Sequence, residues 1–428
     1  MRGVKEAIDS KMQTNERVKT NKLSVARQAL SIKQKAGRLL FIGLPVMRLN
    51  KYWRELLREV QPGGVILFGR NVESAAQVAL LTAQVRDALG GRPVVAVDQE
   101  GGLVDRFRHI CEPMPSAKSI RNAGRTDLAE KFGDLTARAL RLLGFNMNFA
   151  PVLDLGGANE DNGLRARTFG DDPTTVMRLA GAYVDGLQRG GVVGCGKHFP
   201  GLGGSSVDSH RRLPIVTQTW QEIVQRDLVP FRDLLFQRPG ERLRSVMVSH
   251  AAYPEMSEFL EDLLRRTAEL PSLEEMHRLP ATISGNVVMR LLRQAYQFKG
   301  LVITDDMEMG AVVQTLSVAE ASLRAIEAGS DMVLICEHKA NYTAARDLIV
   351  EAVREGRITE ATLDVAGERI DRAMDAAADY ETFDEEEFQT VSHDIAELKR
   401  ALKAAEDDEE YAPLYGTEEG DVRRSSNF

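Results

Sequence analysis

The stretch GGVILFGRNVESAAQVALLTAQVRDALGGRPVVAVD, residues 63–98, holds two apolar runs separated by a segment whose apolar residues recur at three- and four-residue spacing. Strands that are apolar throughout, rather than alternating with polar residues, are typical of parallel sheets buried on both faces. The stretch therefore predicts a strand–helix–strand unit of a parallel sheet covered by helices.

The same unit recurs along most of the chain. Eight apolar runs alternate with helical segments, at residues 37–44, 63–68, 93–98, 145–154, 192–198, 245–250, 301–306 and 331–336. Eight is the number of strands that closes a (β/α)8 barrel. We therefore predict an α/β fold, a single-domain TIM-type barrel over residues 36–380. On pattern alone, the main alternative is a doubly wound open sheet.

Three segments fall outside the repeat. Residues 1–35 are basic and polar and contain no apolar run typical of a secretory signal. Residues 254–280 form an insertion between the sixth strand and its helix. Residues 381–428 hold 15 acidic and five basic residues, which predicts a solvated acidic tail, although residues 391–406 allow one more helix.

Composition narrows the classes of function. The net charge of −8 over 428 residues argues against a nucleic-acid or membrane partner, and no run of about 18 apolar residues occurs that could span a bilayer. Three cysteines without a CxxC pair favour neither a disulfide framework nor a thiolate zinc site. We expect a cytoplasmic monomer without metal or cofactor.

Polar residues interrupt four of the apolar runs where the strands should end, in VDQEGG (97–102), KHFPG (197–201), SH (249–250) and TDD (304–306). In a barrel these ends meet on one face, where reactive side chains lie. Asp305 and Asp306 are adjacent, and successive residues of an extended chain point to opposite sides. We assign Asp305 to the pocket and leave Asp306 to the following helix.

The segment KHFPGLGGSSVDSHRRLP (197–214) predicts a flexible loop, because three of its residues are glycines followed by two serines. Asp208 and His210 lie at the far end of this loop. A carboxylate two residues from an imidazole can accept the ring N–H, which fixes the tautomer and raises the basicity of the ring. The pair is a candidate for proton transfer at the barrel mouth.

Taken together, these motifs resemble glycoside hydrolase family 3. The resemblance rests on VDQEGGLVDRF (97–107), NFAPVLDL (148–155), RTF (167–169), KHFPG with DSH (208–210), and ITDDMEMGA (303–311). It covers about residues 36–380. The combination of KHFPG with DSH is similar to that of the single-domain β-N-acetylglucosaminidases of bacterial cell-wall recycling.

The resemblance implies a function and a role for each matched residue. Asp305 becomes the nucleophile, His210 the acid/base and Asp208 its orienting partner. The implied sugar-binding residues are Asp98, Arg106, Arg167, Lys197 and His198. The implied enzyme is a retaining exo-acting β-N-acetylhexosaminidase, which removes terminal β-N-acetylglucosamine from a small carbohydrate substrate of the muropeptide type through a covalent glycosyl-aspartate.

Two positions depart from the family pattern, and alternatives stay open. Leu103 stands where the family usually has arginine, and Leu202 interrupts the usual KHFPGHG. A phosphorylase or transglycosylase could use the same residues, because a neutral histidine does not repel an anionic acceptor and Lys197 and Arg167 could attract phosphate. A barrel that binds a sugar or a partner protein without turnover is a further alternative.

Overall fold

The computed structural model describes residues 30–156, 163–205, 213–237, 242–255, 279–314 and 316–403. Eight parallel strands pair in chain order, and the first strand pairs with the last, with Phe41 opposite Leu334. The strands are β1 (Leu40–Gly43), β2 (Gly64–Leu67), β3 (Val94–Val97), β4 (Met147–Asn148), β5 (Val193–Phe199), β6 (Ser245–Val248), β7 (Leu301–Asp306) and β8 (Met332–Ile335). The closed barrel is confirmed, and the open sheet is excluded.

Helices surround this barrel. They are α1 (Ile32–Arg38), α2 (Lys51–Val60), α3 (Ala75–Leu89), α4 (Ala117–Ala123), α5 (Thr126–Leu142), α6 (Pro173–Arg189), α7 (residues 220–237, with two π-helical segments), α8 (Asn286–Ala295, also π-helical), α9 (Gly310–Val313), α10 (Val318–Ala328), α11 (Lys339–Arg354), α12 (Glu360–Asp375) and α13 (Glu385–Leu402). Helices α5 and α6 approach closely, because Gly133 and Gly186 each face a backbone carbonyl of the other helix that a Cβ would contact at 2.0 and 2.1 Å.

The strands are apolar throughout because both of their faces are buried. Phe41 and Ile66 belong to the cluster that fills the barrel, while their neighbours Ile42 and Val65 belong to the layer between the sheet and the helices. Successive side chains of a strand point to opposite faces. Burial on both sides therefore removes the alternation that a half-exposed strand would show.

Two strand boundaries differ from the prediction. The run 145–154 contains only a two-residue strand, Met147–Asn148, after which Pro151 supplies no backbone N–H for a ladder. At the first run, residues 37 and 38 belong to α1 instead. That helix is capped at its N-terminus by Ser31, whose side chain and that of Gln34 form a reciprocal capping box.

The folded chain continues past residue 380, where we expected the acidic tail to begin. Asp384 caps α13, and its side chain accepts from the Glu387 backbone N–H. The apolar residues of α13 are buried against α5 at alternating three- and four-residue spacing, namely Phe388, Val391, Ile395, Leu398 and Leu402. The acidic residues of this segment occupy the other face of an amphipathic helix.

The N-terminal extension as far as residue 29, the core of the insertion (residues 256–278) and residues 404–428 lie outside the described residues. Within the part of the chain that the structure covers, no helix is both long enough and apolar enough to cross a bilayer.

Two truncations should separate the helical and the terminal parts of the acidic segment. Removing residues 381–428 takes away α13 and uncovers the apolar surface of α5, so we expect Tm to fall by at least about 5 °C. Removing residues 407–428 leaves α13 in place, and we expect Tm and activity to stay nearly unchanged. Calorimetry of the two truncated proteins beside the full chain makes the comparison. A fall in Tm after the shorter deletion would contradict the expectation of a solvated terminus.

Candidate active site

The predicted polar residues meet at the carboxyl-terminal mouth of the barrel. Asp98 directly follows β3, Lys197 and His198 lie near the end of β5, and Asp305 is the penultimate residue of β7. The β5–β6 and β7–β8 pairings both shift register close to these residues. Such irregularities re-aim side chains at the end of a strand, so the barrel presents these groups to one opening.

A cluster of five charged side chains, of which Glu100 and Lys197 are buried and the other three partly exposed, forms one wall of this opening. Lys197 Nζ lies 2.7 Å from Asp98 Oδ1 and 2.5 Å from Glu100 Oε1. Arg167 binds Glu100 with two nitrogens, Nε at 2.8 Å and Nη2 at 3.0 Å. Arg106 Nη2 lies 3.9 Å from Asp98 Oδ2. Three cations thus surround two carboxylates.

The cations keep both carboxylates ionised. Burial alone would raise the pKa of Glu100, but the charges of Arg167 and Lys197 outweigh it and hold that pKa well below its ordinary value. Burial likewise opposes ionisation of Asp98, and Lys197 and Arg106 lower its pKa nonetheless. Asp98 is therefore an acceptor for hydroxyl hydrogens at neutral pH.

A second buried carboxylate orients His198. Asp154 Oδ2 lies 2.6 Å from His198 Nδ1, and because a carboxylate only accepts, Nδ1–H is the donor. Asp154 Oδ1 accepts from the backbone N–H of Leu202 at 2.7 Å. This arrangement leaves Nε2 of a neutral His198 ring as the acceptor. It also ties the ring to the base of the glycine-containing loop of residues 197–214, which we call the glycine loop.

Asp305 and Asp306 lie in different environments. Asp306 is 2% exposed, its Oδ1 accepts from the Glu308 backbone N–H at 3.1 Å, and its carbonyl accepts from His250 Nε2 at 2.8 Å. Asp305 is partly exposed, and its Oδ1 accepts from the Asp306 backbone N–H at 2.8 Å. The Asp306 side chain thus turns back to the backbone of the next turn, whereas Asp305 stays accessible at the end of β7.

The thiol of Cys195 lies in the barrel interior, where charges at the barrel mouth act on it. Cys195 is fully buried in the barrel interior. Burial raises the pKa of this thiol to about 12, and the nearby negative charges of Asp98 and Asp305 act in the same direction while Lys197 opposes them. Asp98, directly after β3, and Asp305, near the end of β7, thus both lie at the carboxyl-terminal mouth of the barrel.

The glycine loop begins and ends beside this region. Ser205 and Val216 pair in an antiparallel bridge, and the Val216 backbone N–H donates to the Ala252 carbonyl at 2.9 Å, just after β6. Asp208 and His210 are in the segment between them and lie outside the described residues. Both ends of the segment that carries this pair are thus held by backbone pairing, and Asp154 binds the backbone of Leu202 just before the first end.

Three residues that the sequence analysis did not assign take part in the arrangement. Glu100 completes the charged cluster, Asp154 orients His198, and His250 holds the backbone of Asp306. All three were visible as polar residues near the ends of predicted strands. Leu202, the departure from the family pattern, is buried in the apolar core at the base of the loop.

Asp227 on α7 offers a test by pH. This carboxyl group is 2% exposed and accepts from Gln218 Nε2 at 2.9 Å. Burial raises its pKa from 3.8 to about 6, and the charge of Asp154 adds to the effect. Between pH 3.8 and about pH 6 the Asp227 carboxyl group is protonated in the folded protein and ionised in the unfolded chain. The free energy of unfolding therefore falls as pH rises through this range.

Asp227→Asn should therefore gain stability over the wild type by up to about 3 kcal/mol between pH 4 and pH 7, because the amide does not ionise. Denaturant unfolding of both proteins at several pH values measures the difference, with the exposed Asp171→Asn as control. A difference that does not change with pH would contradict the burial of an ionisable Asp227.

Comparison with known proteins agrees with this geometry. Residues 31–373 match the model of the glycosyl hydrolase family 3 N-terminal domain. A β-hexosaminidase of Tolumonas auensis is 36% identical over 310 residues, which cover 72% of this chain and 85% of that protein. A β-hexosaminidase of Pseudomonas aeruginosa is 34% identical over 307 residues, covering 72% of this chain and 83% of the relative.

Solved structures show the same likeness. A family 3 β-N-acetylglucosaminidase from Paenibacillus sp. superposes with a TM-score of 0.75 at 32% identity, covering 86% of this chain and 69% of that one. NagZ from Neisseria gonorrhoeae, solved with N-trifluoroacetyl-D-glucosamine, gives a TM-score of 0.66 at 29% identity, covering 84% and 97%. The barrel and the polar residues at its strand ends agree with these matches. The chain belongs to glycosyl hydrolase family 3.

Proposed function

We propose that this protein is an exo-acting, retaining β-N-acetylhexosaminidase that removes terminal β-N-acetylglucosamine. The observation that carries the proposal is the accessible carboxylate of Asp305 at the same barrel mouth as the charged cluster of Asp98, Glu100, Lys197 and Arg167. The relatives named β-hexosaminidase and β-N-acetylglucosaminidase support the substrate class.

The reaction runs in two displacements. In the first, Asp305 attacks the anomeric carbon while protonated His210 gives its proton to the leaving oxygen, so that the glycosidic bond breaks as the glycosyl–aspartate bond forms. In the second, neutral His210 takes a proton from water, the water oxygen bonds to the anomeric carbon and Asp305 leaves. Histidine suits both steps because its unperturbed pKa of about 6.5 lies near working pH.

The charged cluster supplies complementary groups for a sugar ring. Asp98 accepts hydrogens from hydroxyl groups, and Lys197 and Arg167 donate to hydroxyl or carbonyl oxygens. Arg106 adds a further positive charge beside Asp98. His198, fixed through Nδ1, presents its other ring nitrogen. Such a set favours a polyhydroxylated ligand over an apolar one.

The arrangement favours water over phosphate as the acceptor. Lys197 is paired with two carboxylates and Arg167 with one. Their charges are therefore largely neutralised, and the attraction for an anionic acceptor is weaker than that of isolated cations. We propose hydrolysis as the main activity. We further propose muropeptide-type fragments as natural substrates, on the strength of the resemblance to cell-wall recycling enzymes, and a cytoplasmic location stays a prediction.

An assay on paired aryl glycosides tests the proposal. The purified protein should release the phenol from a nitrophenyl β-N-acetylglucosaminide and release far less from the matching β-glucoside, which lacks the N-acetyl group. Proton NMR of the first product should show retention at the anomeric carbon, and added phosphate should yield no sugar 1-phosphate. Absence of turnover would favour the non-catalytic barrel, and a sugar 1-phosphate product would favour the phosphorylase.

A further inference from the structure

The β3 loop, residues 98–116, carries three residues of the charged cluster and is tied together by a buried carboxylate. Asp105 Oδ1 accepts from Gln99 Nε2 at 2.8 Å and from the Phe107 backbone N–H at 3.0 Å. Asp105 Oδ2 accepts from the Met114 backbone N–H at 2.7 Å. The same Gln99 side chain accepts from the backbone N–H of Arg106 at 2.9 Å. A displacement of the backbone near Met114 would therefore also move Gln99 and Arg106.

Helix α13 holds this loop at Glu112, two residues before Met114. The Glu112 backbone N–H donates to Ser392 Oγ at 2.8 Å, and Lys399 Nζ donates to Glu112 Oε1 at 2.9 Å. Lys399 is 15% exposed in this pair, so the contact is partly shielded from water. The two bonds fix both the backbone and the side chain of one loop residue.

The helix is itself a fixed platform. Its apolar face is buried against α5, and Arg138 of α5 binds Glu387 at 2.7 Å and Asp394 at 2.8 Å. An 18-residue helix is about 27 Å long, and α13 extends from these contacts near the end of α5 to the loop at the barrel mouth. Helix α13 also lies beyond residues 31–373, which the family model matches.

If α13 only stabilised the fold, its apolar face would be sufficient. Burial of Phe388, Val391 and Ile395 covers α5 whether or not the end of the helix reaches the loop. The contacts of Ser392 and Lys399 instead reach a loop that leads to Asp98, Glu100 and Arg106. These polar contacts fit a role in holding the sugar-binding residues in place.

We propose that α13 is a positioning element for sugar binding, with Ser392 and Lys399 holding the β3 loop through Glu112. The inference rests on the proposed function, because it concerns recognition at the same site. Asp305 and His210 are on other loops and strands, so a loosened β3 loop should weaken binding of the sugar while leaving the chemical step in place. The expected signature is a change in KM without a change in kcat.

The test is a charge exchange across the pair. Lys399→Glu sets two carboxylates against each other and should raise KM for the aryl β-N-acetylglucosaminide about five-fold, with kcat within about two-fold of wild type. The double variant Lys399→Glu with Glu112→Lys restores an opposite-charge pair and should bring KM back towards the wild-type value. Arg400→Glu makes the same reversal of charge at the next residue of the helix. The Arg400 side chain is 65% exposed, and this variant should leave KM unchanged.

The outcomes separate this inference from the proposed function. If the wild type does not turn over the glycoside, the proposed function fails first. If the wild type is active, three results would each overturn the positioning role. KM could be unchanged in Lys399→Glu, it could rise equally in Arg400→Glu, or it could fail to return towards the wild-type value in the double variant. Should Lys399→Glu not fold, Ser392→Ala removes the hydroxyl that accepts from the Glu112 N–H and bonds to the Cys111 thiol. This variant should raise KM with Tm nearly unchanged.

Discussion

Asp305→Ala should lower kcat by about four orders of magnitude or more on every β-N-acetylglucosaminide. The reason is that the alanine side chain cannot form the glycosyl–aspartate bond, so both displacements are lost. Asp306→Asn is the matched control, because Asp306 is buried and its Oδ1 accepts from the Glu308 backbone N–H, which an amide oxygen also accepts. We expect a loss of less than about ten-fold there.

A small nucleophile offers a second observation on the same variant. The space left by the Asp305 carboxylate admits azide, which should restore part of the rate on an activated aryl glycoside and give the α-glycosyl azide. Near-normal activity of Asp305→Ala, or a loss at Asp306 that exceeds the loss at Asp305, would contradict the assignment of the two acids.

His210→Ala should affect substrates according to their leaving groups. For an alkyl aglycone, which needs a proton to depart, kcat/KM should fall by about 10² to 10⁴-fold. For a dinitrophenyl aglycone, which departs as the anion, kcat/KM should change little, although kcat falls because water is no longer activated in the second step. Asp208→Ala should show a weaker version of this pattern.

Steady-state kinetics over a series of aryl and alkyl β-N-acetylglucosaminides measures the effect as the slope of log kcat/KM against leaving-group pKa. The slope should become steeper in His210→Ala. His393→Ala is the control, since that histidine is 69% exposed on the outer side of α13. Equal losses for good and poor leaving groups would show that another residue is the acid.

The barrel could be predicted because its decisive signal is local. Each strand is buried on both faces, so apolar runs such as 63–68 and 301–306 are visible without knowing their partners. Run 145–154 agrees only in part, because the continuous strand ends at Asn148 and the pairing with β5 resumes beyond it only as an isolated parallel bridge between Val152 and Lys197. The sequence pattern marks burial, and burial is not confined to strands.

The candidate site could be predicted in its residues but not in its contacts. The strand-end motifs located Asp98, Lys197 and Asp305, whereas the pairing of Lys197 with Glu100 joins residues almost a hundred positions apart and follows only from barrel closure. The hydrogen bond from His198 to Asp154 could not be predicted either, because these residues also lie far apart in the sequence. The bounds of helix α13 were misplaced, since the helix allowed over residues 391–406 in fact runs over Glu385–Leu402. The acidic residues of its first turn suggested a tail and masked the regular spacing of its apolar face.

The central claim is that Asp305 forms a covalent bond to the sugar, and trapping that bond tests it most directly. A 5-fluoro N-acetylglucosaminyl fluoride slows both steps, because the ring fluorine destabilises positive charge at the anomeric centre, while the fluoride leaving group keeps the first step possible. Peptide mass spectrometry of the inactivated protein should then find one sugar, attached to Asp305. A sugar on Asp306, or inactivation without any covalent adduct, would contradict the claim.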